Sequence, residues 1–123
     1  MIVIDAGVVI TLLLGGLSPE PLSEDLAAPH LIDSEVTHVL RRLVLRRDLS
    51  EAQGQAAVES FVALAFTRHG IGPLRPRMWE LRHNVTGYDS SYVALAEHLS
   101  LPLLTTDRKL AAAPGLRCQV LVV

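Results

Sequence analysis

The chain has 123 residues, half of them hydrophobic, with a mean hydropathy of +0.35 and a net charge of −2. That length suits one domain, residues 1–123, and no uninterrupted apolar run approaches the roughly 20 residues of a membrane span. Cys118 is the only cysteine, which excludes an internal disulfide and fits a reducing, cytoplasmic compartment; the acidic, base-free first fourteen residues do not suit a signal peptide.

The first apolar run, Met1 to Ile4, closes on Asp5 and reads as a fully buried strand. Gly7 to Leu14 suits a short helix ended by Gly15-Gly16, and Leu17 to Asp25, with Pro19 and Pro21, a loop or short helix. Ala27 to His30 fits a brief second strand. Asp33 or Ser34 can then cap a helix whose apolar positions Val36, Val39, Leu40, Leu43 and Val44 recur at helical spacing. Ser50 and Glu51 open the next helix, with Ala57, Val58, Phe61, Val62, Leu64 and Ala65 as its buried stripe. Gly72-Pro73-Leu74 is the candidate middle strand, and Met78 to Asn84 a short helix. Tyr88-Asp89-Ser90-Ser91 begins another helix, with Tyr92, Val93, Leu95, Ala96 and Leu99 on its apolar side. Pro102 to Thr105 reads as a strand, Asp107 to Ala113 as a helical turn, and Gln119 to Val123 as a last strand. This alternation predicts an α/β/α sandwich around a mainly parallel sheet with right-handed crossovers.

In such a sheet, ligands bind outside the carboxyl ends of the strands. Asp5 and Asp107 follow strands, while Glu35 and Asp89 fall in the first turns of helices, so all four are expected along one edge. Carboxylates about 5 Å apart repel by roughly 3 kcal/mol per pair at an effective dielectric near 20. Arg108 and Lys109 follow Asp107, but no Lys or Arg adjoins Asp5, Glu35 or Asp89. An all-acid cluster is held together by a cation, and hard oxygen donors select Mg²⁺ or Mn²⁺. Each acid also has a simpler reading as a helix cap or a first-turn acid on the helix dipole. Asp33 is read as a cap and Glu97 as a helix-surface acid.

Other chemistries lack support. His30, His38, His69, His83 and His98 show no metal-ligand spacing, and Ser90 and Ser91 lack a histidine base. There is no phosphate-binding loop or dinucleotide fingerprint, and Cys118 reads as a buried, inert thiol. Of the 11 basic residues ten are arginine. Arg41, Arg42, Arg46 and Arg47 fall in one helical stretch and Arg75, Arg77 and Arg82 in another, placed either as phosphate forks or as solvated helix faces. The apolar surplus suggests a covered face, for which Val39, Leu43, Phe61 and Leu64 are candidates.

Four segments carry a resemblance: Met1 to Asp5, Ile32-Asp33-Ser34-Glu35-Val36, Tyr88 to Glu97, and Leu103-Leu104-Thr105-Thr106-Asp107. They resemble the acidic motifs of PIN-domain ribonucleases, most of all the VapC-type toxins of toxin–antitoxin modules, over essentially the whole chain. The resemblance implies that Asp5, Glu35, Asp89 and Asp107 bind metal and catalyse RNA hydrolysis, with Thr105 in support. It also implies an RNA substrate, a homodimer, and a cognate antitoxin whose tail occupies the crevice, where an arginine would suit the acids. Gly7 departs from the pattern, because relatives often carry a hydroxyl residue there. Two other classes remain open: a non-catalytic PIN-like scaffold, against which the four intact acids argue, and a phospho-acceptor receiver domain, whose paired acids and late lysine are not matched.

Overall fold

A computed structural model describes residues 1–17 and 24–123, so most of the expected loop or short helix over 17–25 lies outside the described residues. Five strands, β1 (Ile2–Ile4), β2 (Leu26–Pro29), β3 (Phe66–His69), β4 (Leu103–Thr105) and β5 (Val120–Val122), form one sheet in the order β3-β2-β1-β4-β5. Every pairing is parallel. Among the described residues six α-helices connect them: α1 (Ala6–Leu13), α2 (Leu31–Leu45), α3 (Glu51–Ala63), α4 (Arg75–Glu80), α5 (Gly87–Leu99) and α6 (Arg108–Ala111). The chain steps outward from β1 to β2 and β3, then returns to place β4 on the other side of β1. With right-handed crossovers this reversal puts α1, α2 and α3 on one face and α4 and α5 on the other. It also creates a switch point between β1 and β4, where a crevice opens at the strand ends.

Strands β1 and β4 are short and apolar because both of their faces are covered. Val3, Ile4 and Leu103 are fully buried, and complete burial of such side chains contributes about 1.5–3 kcal/mol each. Ala27, Ala28, Ala94 and Ala96 in the core are small, which lets α5 lie close against β1 and β2. Helix α5 buries Ser90 through Ala96 without a break, so it reads as a core helix and not as an amphipathic surface one.

Several expectations shift. The third strand is Phe66–His69, and Gly72–Leu74 is a 3-10 helix instead. Pro73 lacks the amide a ladder needs, whereas Phe66 to His69 pairs residue for residue with β2. The same chemistry moves the fourth helix forward to Arg75–Glu80, since Pro76 is tolerated in its opening turn. Helix α2 starts at Leu31, because His30 already has helical backbone angles (φ −53°, ψ −26°). Asp33 therefore lies inside the first turn and caps nothing. Its two oxygens accept from Arg68 Nε and Nη2 at 2.7 and 2.8 Å, while the guanidinium packs over the rings of Phe61 and Phe66. On α3 the buried stripe is Gly54, Ala57 and Phe61, whereas Val58 and Val62 face outward, Val62 being 77% exposed. Phe61 is thus core and unavailable to a partner.

Glu97 is no surface acid either. Its side chain is 9% exposed and is gripped by Arg77 Nε at 2.6 Å, Arg77 Nη2 at 3.2 Å and the amide of Arg117 at 2.9 Å. These donors hold its carboxyl below the usual range against the opposing effect of burial. Arg77 is consequently committed to Glu97 and Glu80 and is not a phosphate fork. Cys118 is only half-buried, and burial raises its thiol pKa, which agrees with an unreactive group.

Helices α2 and α3 meet at Gly54, where an added methyl would lie 2.5 Å from Cγ2 of Val44. A valine on a helix has little rotameric freedom with which to yield. Gly54→Ala gains about 1 kcal/mol of helix propensity, but overpacking costs about 1–3 kcal/mol. We expect a lower urea midpoint for Gly54→Ala, recovered when Val44→Ala is added. A single variant as stable as the parent would show that the helix pair gives way at this contact.

Candidate active site

Parallel register between β1 and β4, with Val3 opposite Leu103 and Ile4 opposite Leu104, brings both strand ends to the same edge. Asp5 leaves β1 with extended backbone angles and acts as N-cap of α1, its Oδ1 accepting from the amide of Val8 at 3.0 Å. Its Oδ2 accepts a hydrogen bond from the Thr105 hydroxyl at the end of β4. The Thr105 oxygen accepts in turn from the amide of Asp107 at 3.0 Å. Asp107 caps α6, with Oδ1 accepting from the amides of Lys109 and Leu110 at 2.8 and 3.4 Å. The cap readings of Asp5 and Asp107 therefore hold, and they coexist with placement at the crevice.

The other two acids arrive on helices. Glu35 lies in the second turn of α2, one turn later than expected because the helix begins early. Its Oε1 accepts from the Tyr92 hydroxyl at 2.7 Å. Asp89 lies in the first turn of α5 behind Thr86, whose side chain, and not that of Asp89, caps the helix. Tyr92, three residues beyond Asp89, was read only as part of the apolar side of α5. It is buried, but its hydroxyl orients Glu35, a role set by the distance between α5 and α2 and carried by no spacing in the sequence.

The carboxylates act on one another. Asp5 is raised above the ordinary aspartate range, mainly by burial, against the hydrogen bonds from Thr105 and Val8, with Asp89 and Asp107 adding repulsion. Burial raises Glu35 too, opposed by the Tyr92 bond and reinforced by Asp89 and Asp5. Asp89 is raised by burial against Thr86, with Asp107 repelling it. The Tyr92 hydroxyl is raised by burial and then by its bond to Glu35. Among the described residues no basic side chain forms an ion pair with any of the four acids.

The donor set is four carboxylates without nitrogen or sulfur, which suits a hard divalent cation. Among the described residues no three such side chains already stand together as a ready ion cage. Tyr92 engages only Oε1 of Glu35 and the helix cap only Oδ1 of Asp107, so each acid keeps a second oxygen outside these bonds. At position 7, an added Cβ would fall 2.6 Å from Thr106 Oγ1 and 3.4 Å from Asp5 Oδ1. The Thr106 hydroxyl thus occupies the space that a hydroxyl residue at Gly7 would need. A larger depression of about 710 Å³ lies beside Pro102 and Gln119, residues that precede β4 and β5, and so opens on the edge opposite the acids.

A parallel sheet ordered 3-2-1-4-5 with four acids at its switch point defines a PIN-type domain. The sequence matches no family model. It is 46% identical, over an alignment 134 positions long, to Ribonuclease VapC1 of Mycobacterium tuberculosis, covering 98% of this chain and 96% of that protein. The chain belongs to the VapC ribonuclease family. Its fold resembles the crystal structure of PAE2754 from Pyrobaculum aerophilum, with a TM-score of 0.64 at 25% identity over 89% of this chain and 82% of that one. It also resembles VapBC-5 of M. tuberculosis, a member of the VapBC family of toxin–antitoxin systems, with a TM-score of 0.60 at 23% identity over 99% and 96% of the two chains.

Raised acids have a consequence for stability. Between the free carboxylate pKa and the raised one, the folded chain binds more protons than the unfolded chain, so stability falls as pH rises through that window. Glu97, with its lowered pKa, works in the opposite sense. In EDTA, the melting temperature should fall from mildly acidic pH toward neutrality more steeply for the parent than for Asp5→Asn. We expect the variant to gain on the order of 4 °C at neutral pH, the shift that about 1 kcal/mol produces in a small domain. Parallel pH profiles would show that Asp5 carries no strain.

Proposed function

We propose that this chain is the toxin of a toxin–antitoxin pair, a metal-dependent endoribonuclease that cuts RNA by hydrolysis and so arrests translation and growth. The observation that supports it best is the gathering of Asp5, Glu35, Asp89 and Asp107 from four elements at one sheet edge, where they repel one another and have no basic partner among the described residues. In this reading Asp5, Glu35, Asp89 and Asp107 hold Mg²⁺ or Mn²⁺. Bound there, the ion supplies an activated water and neutralises charge on the phosphodiester. Thr105 fixes the direction of the Asp5 carboxylate, and Tyr92 that of Glu35.

The name Ribonuclease VapC1 and the toxin–antitoxin description of VapBC-5 support the RNA substrate and the antitoxin partner. An antitoxin arginine would match the crevice electrostatically. Exposed Val58 and Val62, one turn apart on α3, offer an apolar stripe for a homodimer. No helix among the described residues is long and apolar enough to cross a membrane.

Cleavage should stop in EDTA, return with Mg²⁺ or Mn²⁺, and leave 5′-phosphate and 3′-hydroxyl ends. Asp5→Asn and Asp89→Asn should each lower the rate at least about 100-fold, in keeping with the loss of a group that stabilises developing charge. Both should remain folded by circular dichroism. Wild-type rates in either variant, cyclic phosphate products, or full activity in chelator would each overturn the proposal.

A further inference from the structure

A second groove of about 630 Å³ runs from the acid crevice along α2, lined among others by Ser34, Glu35, His38, Val39, Arg42 and Tyr88. Glu35 belongs to both, so the groove continues the crevice. Ser34, Glu35, His38, Val39 and Arg42 recur at helical spacing along one side of α2, and Arg42 lies about 10 Å beyond Glu35 at 1.5 Å of rise per residue. Across from them stands Tyr88, 66% exposed, immediately before Asp89 at the start of α5. Arg42 is exposed and makes no ion pair among the described residues.

An exposed aromatic ring beside a catalytic carboxylate has no part in the core and leaves a flat apolar face in water. Together with a cation one nucleotide's reach away and two small polar groups between, it has the make-up of a single-strand subsite: a stacking platform, a phosphate contact and hydrogen-bonding groups for a base edge. We infer that this groove binds the unpaired nucleotide next to the scissile phosphate, its base stacked on Tyr88, its edge facing Ser34 and His38, and its outer phosphate on Arg42. Arg42 suits a phosphate, the exposed Tyr88 ring offers a base a stacking face, and the groove's continuity with the acids fixes which part of the strand enters. The identity of the polymer rests on the nuclease reading, whereas the groove's affinity for single strands can be measured without cleavage.

The test uses fluorescence anisotropy of labelled single-stranded oligoribonucleotides on the Asp5→Asn chain, alongside steady-state cleavage by the chain with Asp5 intact. Tyr88→Ala should weaken binding roughly 5- to 100-fold, the range for one stacked base, and raise KM while leaving kcat within about threefold. Tyr88→Phe, which keeps the ring, should bind like its parent. Arg42→Ala should reduce the slope of log affinity against log salt by about 0.7, one phosphate's share for a single strand. Unchanged affinity in Tyr88→Ala, or an equal loss in Tyr88→Phe, would overturn the subsite while leaving the nuclease reading intact. Loss of affinity on Tyr88→Ala in a protein that cuts no RNA would uphold the subsite and sink the nuclease. Variants that bind RNA normally but lose a protein partner would assign the groove to that partner and overturn the inference.

Discussion

The hydrogen bond from the Thr105 hydroxyl to the Asp5 carboxylate joins the ends of two strands a hundred residues apart in sequence. Everything at the acid edge depends on that join. It fixes Asp5 so that its other oxygen caps α1, and it aims the Thr105 oxygen at the amide of Asp107, which in turn caps α6. Two helices and two strands are thereby registered through one hydroxyl. Slipping β4 by one residue would turn Thr105 to the opposite face and break its bond to Asp5, leaving the local caps of α1 and α6 in place but no longer tied to each other.

The carboxylates at this edge serve two electrostatic ends at once. As caps, Asp5 and Asp107 satisfy helix amides and sit favourably at the positive ends of helix dipoles. As neighbours they repel, and burial raises Asp5, Glu35 and Asp89 further. The caps make the repulsion tolerable, and the repulsion keeps the edge receptive to positive charge. Acids elsewhere follow another rule: Asp33 and Glu97 are each held by a bidentate arginine and are thereby removed from any chemistry.

How much was legible in the sequence follows from burial. Strands covered on both faces, such as Ile2–Ile4 and Leu103–Thr105, announce themselves as unbroken apolar runs, and the acids that follow them mark the carboxyl edge of the sheet. Strand β3 does not, because it is an edge strand: Thr67 is exposed and Arg68 packs over the rings of Phe61 and Phe66, so Phe-Thr-Arg-His looks like loop. Helix starts were misjudged wherever backbone geometry replaced a side-chain cap, as at His30. Residues that act by length alone were least visible. The Tyr92 hydroxyl reaching Glu35, and Thr106 filling the space over Gly7, depend on distances between elements that no local pattern encodes.

The order of the sheet also sets when the acid edge can exist. Strand β1 is central and is made first, yet one of its sides waits for β4. A chain being synthesised from its N-terminus carries Asp5, Glu35 and Asp89 for most of its length with nothing to hold them in register. Contacts of such wide sequence separation close late, after the loop entropy between them has been overcome. Until Thr105 and Asp107 emerge there is no complete edge, so the four acids come into register only once β4 has paired with β1.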